Sequence, residues 1–215
     1  MNKNISNLHL ELLDKERQEV LSQLTSVTSG YVLGGGTALA LQLNHRISFD
    51  FDFFSSSEIS RKLLEKVSQV LDVGNIAVDT RDELTLFTTG GVKVTLLYYP
   101  FKSLFAHIQT ENGLQLFTVG EIALQKAYAV GRRGEYRDYF DLYTILKGEH
   151  ASLSEVVAGA KQVYGGAYGE KIFLEQLVYF GDISNFKIIP TSSEPLPTPD
   201  EVKQYFELLV KNHIG

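Results

Sequence analysis

The sequence predicts an α+β protein, with a mixed sheet flanked by helices in its first half and a helical second half. Two patterns carry that expectation. Apolar and polar residues alternate in "ISFDFDFF" and recur in strand-like runs between residues 75 and 99. From Val119 onward, apolar residues return every three or four positions, as on helices that bury one face.

The elements follow in order. Residues 7–28 read as one helix, because Leu10, Leu13, Val20, Leu21 and Leu24 recur at helical spacing. "YVLGG" reads as a short strand ending in a glycine turn. "TALALQLN" reads as a helix that starts near Thr37, a potential N-cap. "ISFDFDFF" is the next strand, and "SSSEISRKLLEKVSQVLD" an amphipathic helix opened by serines. Three strands follow, "NIAVDT", "ELTLFTT" and "VKVTLLYY", joined by the turns "TRDE" and "TGG" and closed by Pro100. Strands joined by such short turns run antiparallel, so the sheet is mixed. Residues 114–117 add a short strand. Helices are expected over 119–130, 135–147, 153–164, 169–178 and 199–211, with a proline-rich loop, "IIPTSSEPLPTP", before the last. The domain division is placed at 1–115 and 116–215.

The 215 residues are 44% hydrophobic and 21% charged, ordinary globular usage. No apolar run approaches the roughly 18 residues that span a bilayer, and the amphipathic N-terminus lacks a signal-peptide core. There is no cysteine, so no disulfide and no thiolate metal site, and the five histidines have no zinc spacing. Together these features lead to the expectation of a cytoplasmic protein without a membrane partner. A formal net charge of −6 argues against bulk capture of nucleic acid but leaves room for a local basic site.

The chemistry concentrates in "VLGGGTALALQLNHRISFDFDFF". On a strand, Phe49, Phe51 and Phe53 share the core face, and Asp50, Asp52 and Phe54 share the other. Two carboxylates about 7 Å apart along one face can converge on a hard cation such as Mg2+, which favours carboxylate and phosphate oxygens. The alternative is the solvated face of an amphipathic strand, although aspartate is a poor strand former. Gly34, Gly35 and Gly36 allow close approach to backbone N–H groups, and a helix beginning beside them points its positive end at the same place. By themselves the glycines read first as a tight turn between strand and helix. The order of glycine loop, short helix and aspartate strand joins an anion cradle to a cation site.

Gly35-Gly36-Thr37, twelve residues, then Asp50-Phe51-Asp52 resembles the signature of the polymerase-β-like nucleotidyltransferases. The fuller "GGTALAL…HRISFDFDFF", with "ALQKAYAVGRRGEYRDYFDLYTIL" downstream, resembles the AbiEii/AbiGii toxin branch over residues 31–146. The resemblance implies a nucleotidyltransferase-type mixed sheet followed by a C-terminal helical domain. It implies transfer of a nucleoside monophosphate from an NTP to an acceptor hydroxyl, on RNA such as tRNA or on a protein, by the toxin of a type IV toxin–antitoxin or abortive-infection system. Asp50 and Asp52 would hold Mg2+. Gly35, Gly36, Thr37 and Lys126 would contact the nucleotide, and Lys126 and Asp138 would join the two aspartates in catalysis. A cognate antitoxin would be a partner.

Read for themselves, the downstream residues also have plain explanations. Lys126 shares a stripe with Ile122, where a lysine snorkels or pairs with an acid. Asp138 and Asp141 lie on one helix face, with Arg137 four residues before Asp141 and able to pair with it. Arg46 has two readings, a phosphate contact or an ion pair with Asp50 or Asp52. Arg132 and Arg133 read as exposed helix-end charges, with an RNA-facing role as the alternative. Active members of the resembled superfamily usually add a third carboxylate on the strand beside the aspartate strand. Here that strand is "VKVTLLYY", with Thr95 at the expected place; Asp79, Asp82 and Glu83 are the nearest acids in sequence. That gap supports two alternatives, a nucleotide-binding module impaired in catalysis and a protein-interaction module.

Overall fold

The computed structural model describes residues 8–215. The chain forms two compact units. One comprises the described residues up to Lys102 together with Ala106–Thr118; the other comprises Ser103–Phe105 and Val119–Gly215. Residues 103–105 belong to the second unit for a visible reason: the buried carboxylate of Glu121 accepts the backbone N–H groups of Leu104 and Phe105 at 2.9 and 3.2 Å.

The first unit holds a seven-stranded sheet made of β1 (Val32–Gly34), β2 (Phe51–Ser55), β3 (Val73–Asp79), β4 (Glu83–Thr88), β5 (Lys93–Tyr98), β6 (Ile108–Gln109) and β7 (Gln115–Leu116). Their order is β3-β4-β5-β2-β1-β7-β6. The β3–β4–β5 run is antiparallel, β5 lies parallel to β2, and β2 lies antiparallel to β1, so the sheet is mixed as expected. Cross-strand partners project to the same face. On one face, Phe51–Val94–Leu86 and Phe53–Leu96–Leu84 form two rows across β2, β5 and β4. All six side chains are fully buried. Rows of this kind, each side chain worth about 1.5–3 kcal/mol when buried, pin the register, because a slip by one residue would expose every one of them.

Among the described residues, three α-helices join this sheet: α1 (Lys15–Thr25), α2 (Gly35–Leu43) and α3 (Leu63–Ser68). Each departs from its expected range. The 7–28 helix is interrupted: Leu10–Leu12 form a 3-10 turn, and extended Asp14 caps α1 by accepting the N–H of Arg17. Residue 7 lies outside the described residues. The predicted serine-led helix shrinks to α3 because Ser55 is part of β2 and accepts from Tyr99 N, while Ile59 N donates to Arg81 O. Those backbone groups are engaged in sheet and turn contacts that a helix would break. Phe49 precedes β2 rather than joining its core face. It is 42% exposed, and its ring takes the Arg17 guanidinium at 4.8 Å.

In the second unit, α4 (Val119–Val130) packs against α5 (Tyr136–Lys147), α6 (Leu153–Tyr164) and α7 (Glu170–Val178), and α8 (Pro199–Ile214) packs on α5, α6 and α7. Capping boxes open α6 (Ser152/Glu155) and α8 (Thr198/Glu201). The buried faces of α4 and α5 carry Ile122, Ala123, Ala127, Tyr139, Leu142 and Ile145 at helical spacing. No helix among the described residues is long and apolar enough to cross a membrane.

Candidate active site

The glycine run sits where β1 meets α2. Gly34 ends β1 and is the N-cap of α2, with no side-chain cap, so the helix begins at Gly35. Thr37 is therefore not the N-cap. It lies in the first turn, buried, and its hydroxyl donates to the carbonyl of Asp50 and lies 3.0 Å from Ser48 Oγ. That bond ties the head of α2 to the backbone just before β2, which fixes where Asp50 stands.

The missing side chains of the glycines are filled by other groups of this unit. A Cβ on Gly35 would come within 2.7 Å of Asp52 Oδ2, and one on Gly36 would run into the Arg46 guanidinium. Asp52 and Arg46 thus stand over consecutive residues at the positive end of α2. Arg46 is buried, and its Nη1 donates to Ile47 O at 3.1 Å. Gly35 also has φ of +64°, which only glycine adopts without strain. Gly30 offers a control, since it has φ of +86° but open space around it. Gly30→Ala is expected to cost about 1–2 kcal/mol of unfolding free energy, and Gly35→Ala more, because the methyl also displaces the carboxylate. Equal urea midpoint shifts for the two variants would refute the close approach of Asp52 to Gly35.

Across the sheet, Asp52 pairs with Thr95 of β5, and Thr95 with Thr85 of β4. Thr95 therefore does stand beside Asp52. Thr85 Oγ1 lies 3.3 Å from Thr95 Oγ1 and donates to Glu83 Oε1 at 2.6 Å. Of Asp79, Asp82 and Glu83, only Glu83 is placed on the Asp52 face by the strand register. No group of three or more His, Cys, Asp or Glu suited to a metal ion occurs among the described residues. Asp52 lies within β2, whereas Asp50 immediately precedes it, so the strand face expected for both carboxylates is established for Asp52 alone. A pair of carboxylates at these two positions would suit one hard cation that shares its remaining positions with phosphate oxygens and water. A cavity of about 600 Å³ lined by Leu10, Leu21 and Leu114 holds none of these residues.

The second unit holds Lys126 and Asp138. Lys126 is buried, and its Nζ reaches Asp138 Oδ1 at 2.7 Å and Asp141 Oδ2 at 2.6 Å. Arg133 approaches the same Asp138 from the α4–α5 turn, with Nε 2.7 Å from Oδ2 and Nη2 3.2 Å from Oδ1. Two cations and two carboxylates close a network around the start of α5. Burial pushes the Asp138 carboxyl up, but the Lys126 charge and the Arg133 hydrogen bond outweigh it and hold the group below the ordinary aspartate range. Arg137 does not pair with Asp141 as the four-residue spacing allowed. It points out to Glu135 at 3.5 Å, because Lys126 already holds Asp141. Arg132 lies over the Tyr128 ring at 3.5 Å.

A family model described as nucleotidyl transferase AbiEii toxin, type IV TA system, matches residues 20–201. The chain belongs to the AbiEii nucleotidyltransferase toxin family. An uncharacterized protein of Aquifex aeolicus is 30% identical over 213 residues, covering 94% of this chain and 98% of that one. Among solved structures, JHP933 from Helicobacter pylori is 22% identical at a TM-score of 0.57, covering 95% of this chain and 94% of its own. The nucleotidyltransferase toxin MenT4 from Mycobacterium tuberculosis is 16% identical at a TM-score of 0.50, over 91% and 85% of the two chains. At these identities the two structures speak for the fold.

Within this AbiEii chain, Gly35, Gly36, Thr37, Arg46, Asp50 and Asp52 gather at the junction of β1, α2 and β2. Lys126 and Asp138 gather with Asp141 and Arg133 in the other unit. The sequence reads Arg133 as an exposed helix-end charge, with an RNA-facing role as the alternative. Its side chain is indeed 61% exposed, yet its guanidinium is anchored by buried Asp138. A helix-end arginine five residues before an aspartate has no periodic signature, so only the turn geometry reveals the pair.

Proposed function

We propose that the protein transfers a nucleoside monophosphate from an NTP to an acceptor hydroxyl, on RNA such as tRNA or on a protein, and that a cognate antitoxin restrains it. The observation that carries this reading is the Asp52 carboxylate standing over Gly35 at the uncapped head of α2. The backbone N–H groups of Gly35, Gly36 and Thr37 bind phosphate oxygens, aided by the helix dipole. Asp50 and Asp52 hold Mg2+, which would neutralise charge on the transferring phosphate when bound. Arg46, which stands over Gly36, turns its guanidinium to the same phosphates. In the second unit Lys126 and Asp138 are assigned to the same reaction, and Asp138 and Asp141 hold the lysine ammonium in its charged form.

The direct test is incubation with labelled NTPs, Mg2+ and total RNA, with Asp50→Ala in parallel. Label transferred by the wild type and lost in the variant supports the assigned site. Transfer that survives the substitution removes it.

A second reading, a nucleotide-binding module without transferase activity, draws support from Thr95 in the position beside Asp52, where an acid would complete the carboxylate set. Saturable NTP binding by calorimetry, with no labelled product from any acceptor, would favour it.

A further inference from the structure

We propose that Glu83 is the terminal proton acceptor of the transfer reaction, acting on the attacking hydroxyl through Thr85 and Thr95. The inference rests on the transfer reaction and the Asp50–Asp52 site proposed above.

Attack by a hydroxyl on the α-phosphorus requires that its proton go somewhere. Asp50 and Asp52 are committed to the cation in that scheme. On the face of β2, β5 and β4 that carries Asp52, the in-register rows are Asp52–Thr95–Thr85 and Phe54–Leu97–Glu83. Glu83 is the acid in those rows that the cation does not use.

The direction of the hydrogen bonds makes this more than proximity. Each threonine hydroxyl has a single proton. An ionised Glu83 only accepts, so Thr85 spends its proton on Glu83 Oε1 at 2.6 Å. Thr85 can then only accept from Thr95, across 3.3 Å. The proton of Thr95 is thereby drawn away from Asp52, and its oxygen lone pairs are left to receive a proton on the Asp52 side. Both threonines are about 95% buried, which restrains their hydroxyls. The 3.3 Å step is long for a hydroxyl pair, and such bonds shorten when the reacting group is bound.

The step balances. The acceptor O–H bond breaks as its oxygen bonds to the α-phosphorus, and pyrophosphate leaves with the electron pair of the broken P–O bond. The released proton goes to Thr95 Oγ1, the Thr95 proton to Thr85 Oγ1, and the Thr85 proton to Glu83 Oε1. Glu83 then returns it to water. Glu83 is a positioning residue in this scheme, since it never touches the substrate.

The test uses the full chain in the labelled-NTP transfer assay, with nucleotide affinity measured separately by calorimetry. Glu83→Gln is expected to lower kcat about a hundredfold while the NTP dissociation constant stays within about twofold. Thr85→Val, which breaks the middle link, should reproduce that split. Thr95→Ser should retain far more activity than Thr95→Val. Thr95→Asp in the Glu83→Gln background, which places an acid directly beside Asp52, should recover transfer. Wild-type kcat in Glu83→Gln overturns the relay and leaves the Asp50–Asp52 site standing. Equal losses of kcat and of NTP affinity in Glu83→Gln and Thr85→Val also overturn it, as the signature of a structural defect. Absence of transfer by the wild type overturns the transfer reading and the relay with it.

Discussion

Asp52→Asn is expected to lower the transfer rate by about a thousandfold or more while leaving the protein folded. Asparagine has nearly the shape of aspartate, so the contact over Gly35 is retained and only the charge is lost. A metal-assisted site contributes several kcal/mol of charge stabilisation in the transition state, and each 1.36 kcal/mol is about tenfold in rate. Asp50→Asn should also impair transfer. The Thr37 bond uses the carbonyl of Asp50, not its side chain, so the head of α2 stays tied to β2. Transfer assays with matched urea melts test both. An Asp52→Asn enzyme within tenfold of wild type would sink the cation assignment.

The second large effect is on stability. Lys126→Met is expected to destabilise the fold by about 3–5 kcal/mol, because it leaves buried Asp138 and Asp141 without the ammonium that both contact. Against typical total stabilities of about 5–15 kcal/mol, that is a large fraction. Asp138 keeps Arg133, and Asp141 loses its contact with the Lys126 ammonium, so Asp141→Leu in the Lys126→Met background should recover part of the loss. The double variant in urea denaturation decides between a coupled network and two independent defects.

The network also has a pH signature. The folded-state pKa of Asp138 is depressed, so its contribution to stability is complete above the unfolded value of about 3.9 and is lost as pH falls through the folded value. Lys126→Met removes a cause of that depression while the burial remains, so acid unfolding should begin at higher pH than in the wild type.

Much of this was legible in one dimension. Period-two alternation located β2, β4 and β5, and helical periodicity located α4 and α6 to the residue. The glycines followed by Asp50 and Asp52 point to the nucleotidyltransferase families through residue order alone. Such signals are local, because a side chain's face follows from backbone repeat alone. The errors are local patterns overridden by distant partners. Phe49 continues the alternation but lies outside β2, where Arg17 provides a different contact. The serine-rich stretch before α3 follows helix spacing, yet its backbone bonds to residues 81 and 99.

The α+β class, most of the strands and helices, and the family follow from the order and spacing of residues along the chain. Which strands are neighbours and which charges pair follows from the packed chain alone. Packing puts Thr95 beside Asp52 and Thr85 beside Thr95, brings Glu83 into that chain of hydroxyls, and closes Lys126 onto Asp138 and Asp141. Alternation reports which way a side chain points; it carries no information about what stands one strand, about 4.8 Å, away.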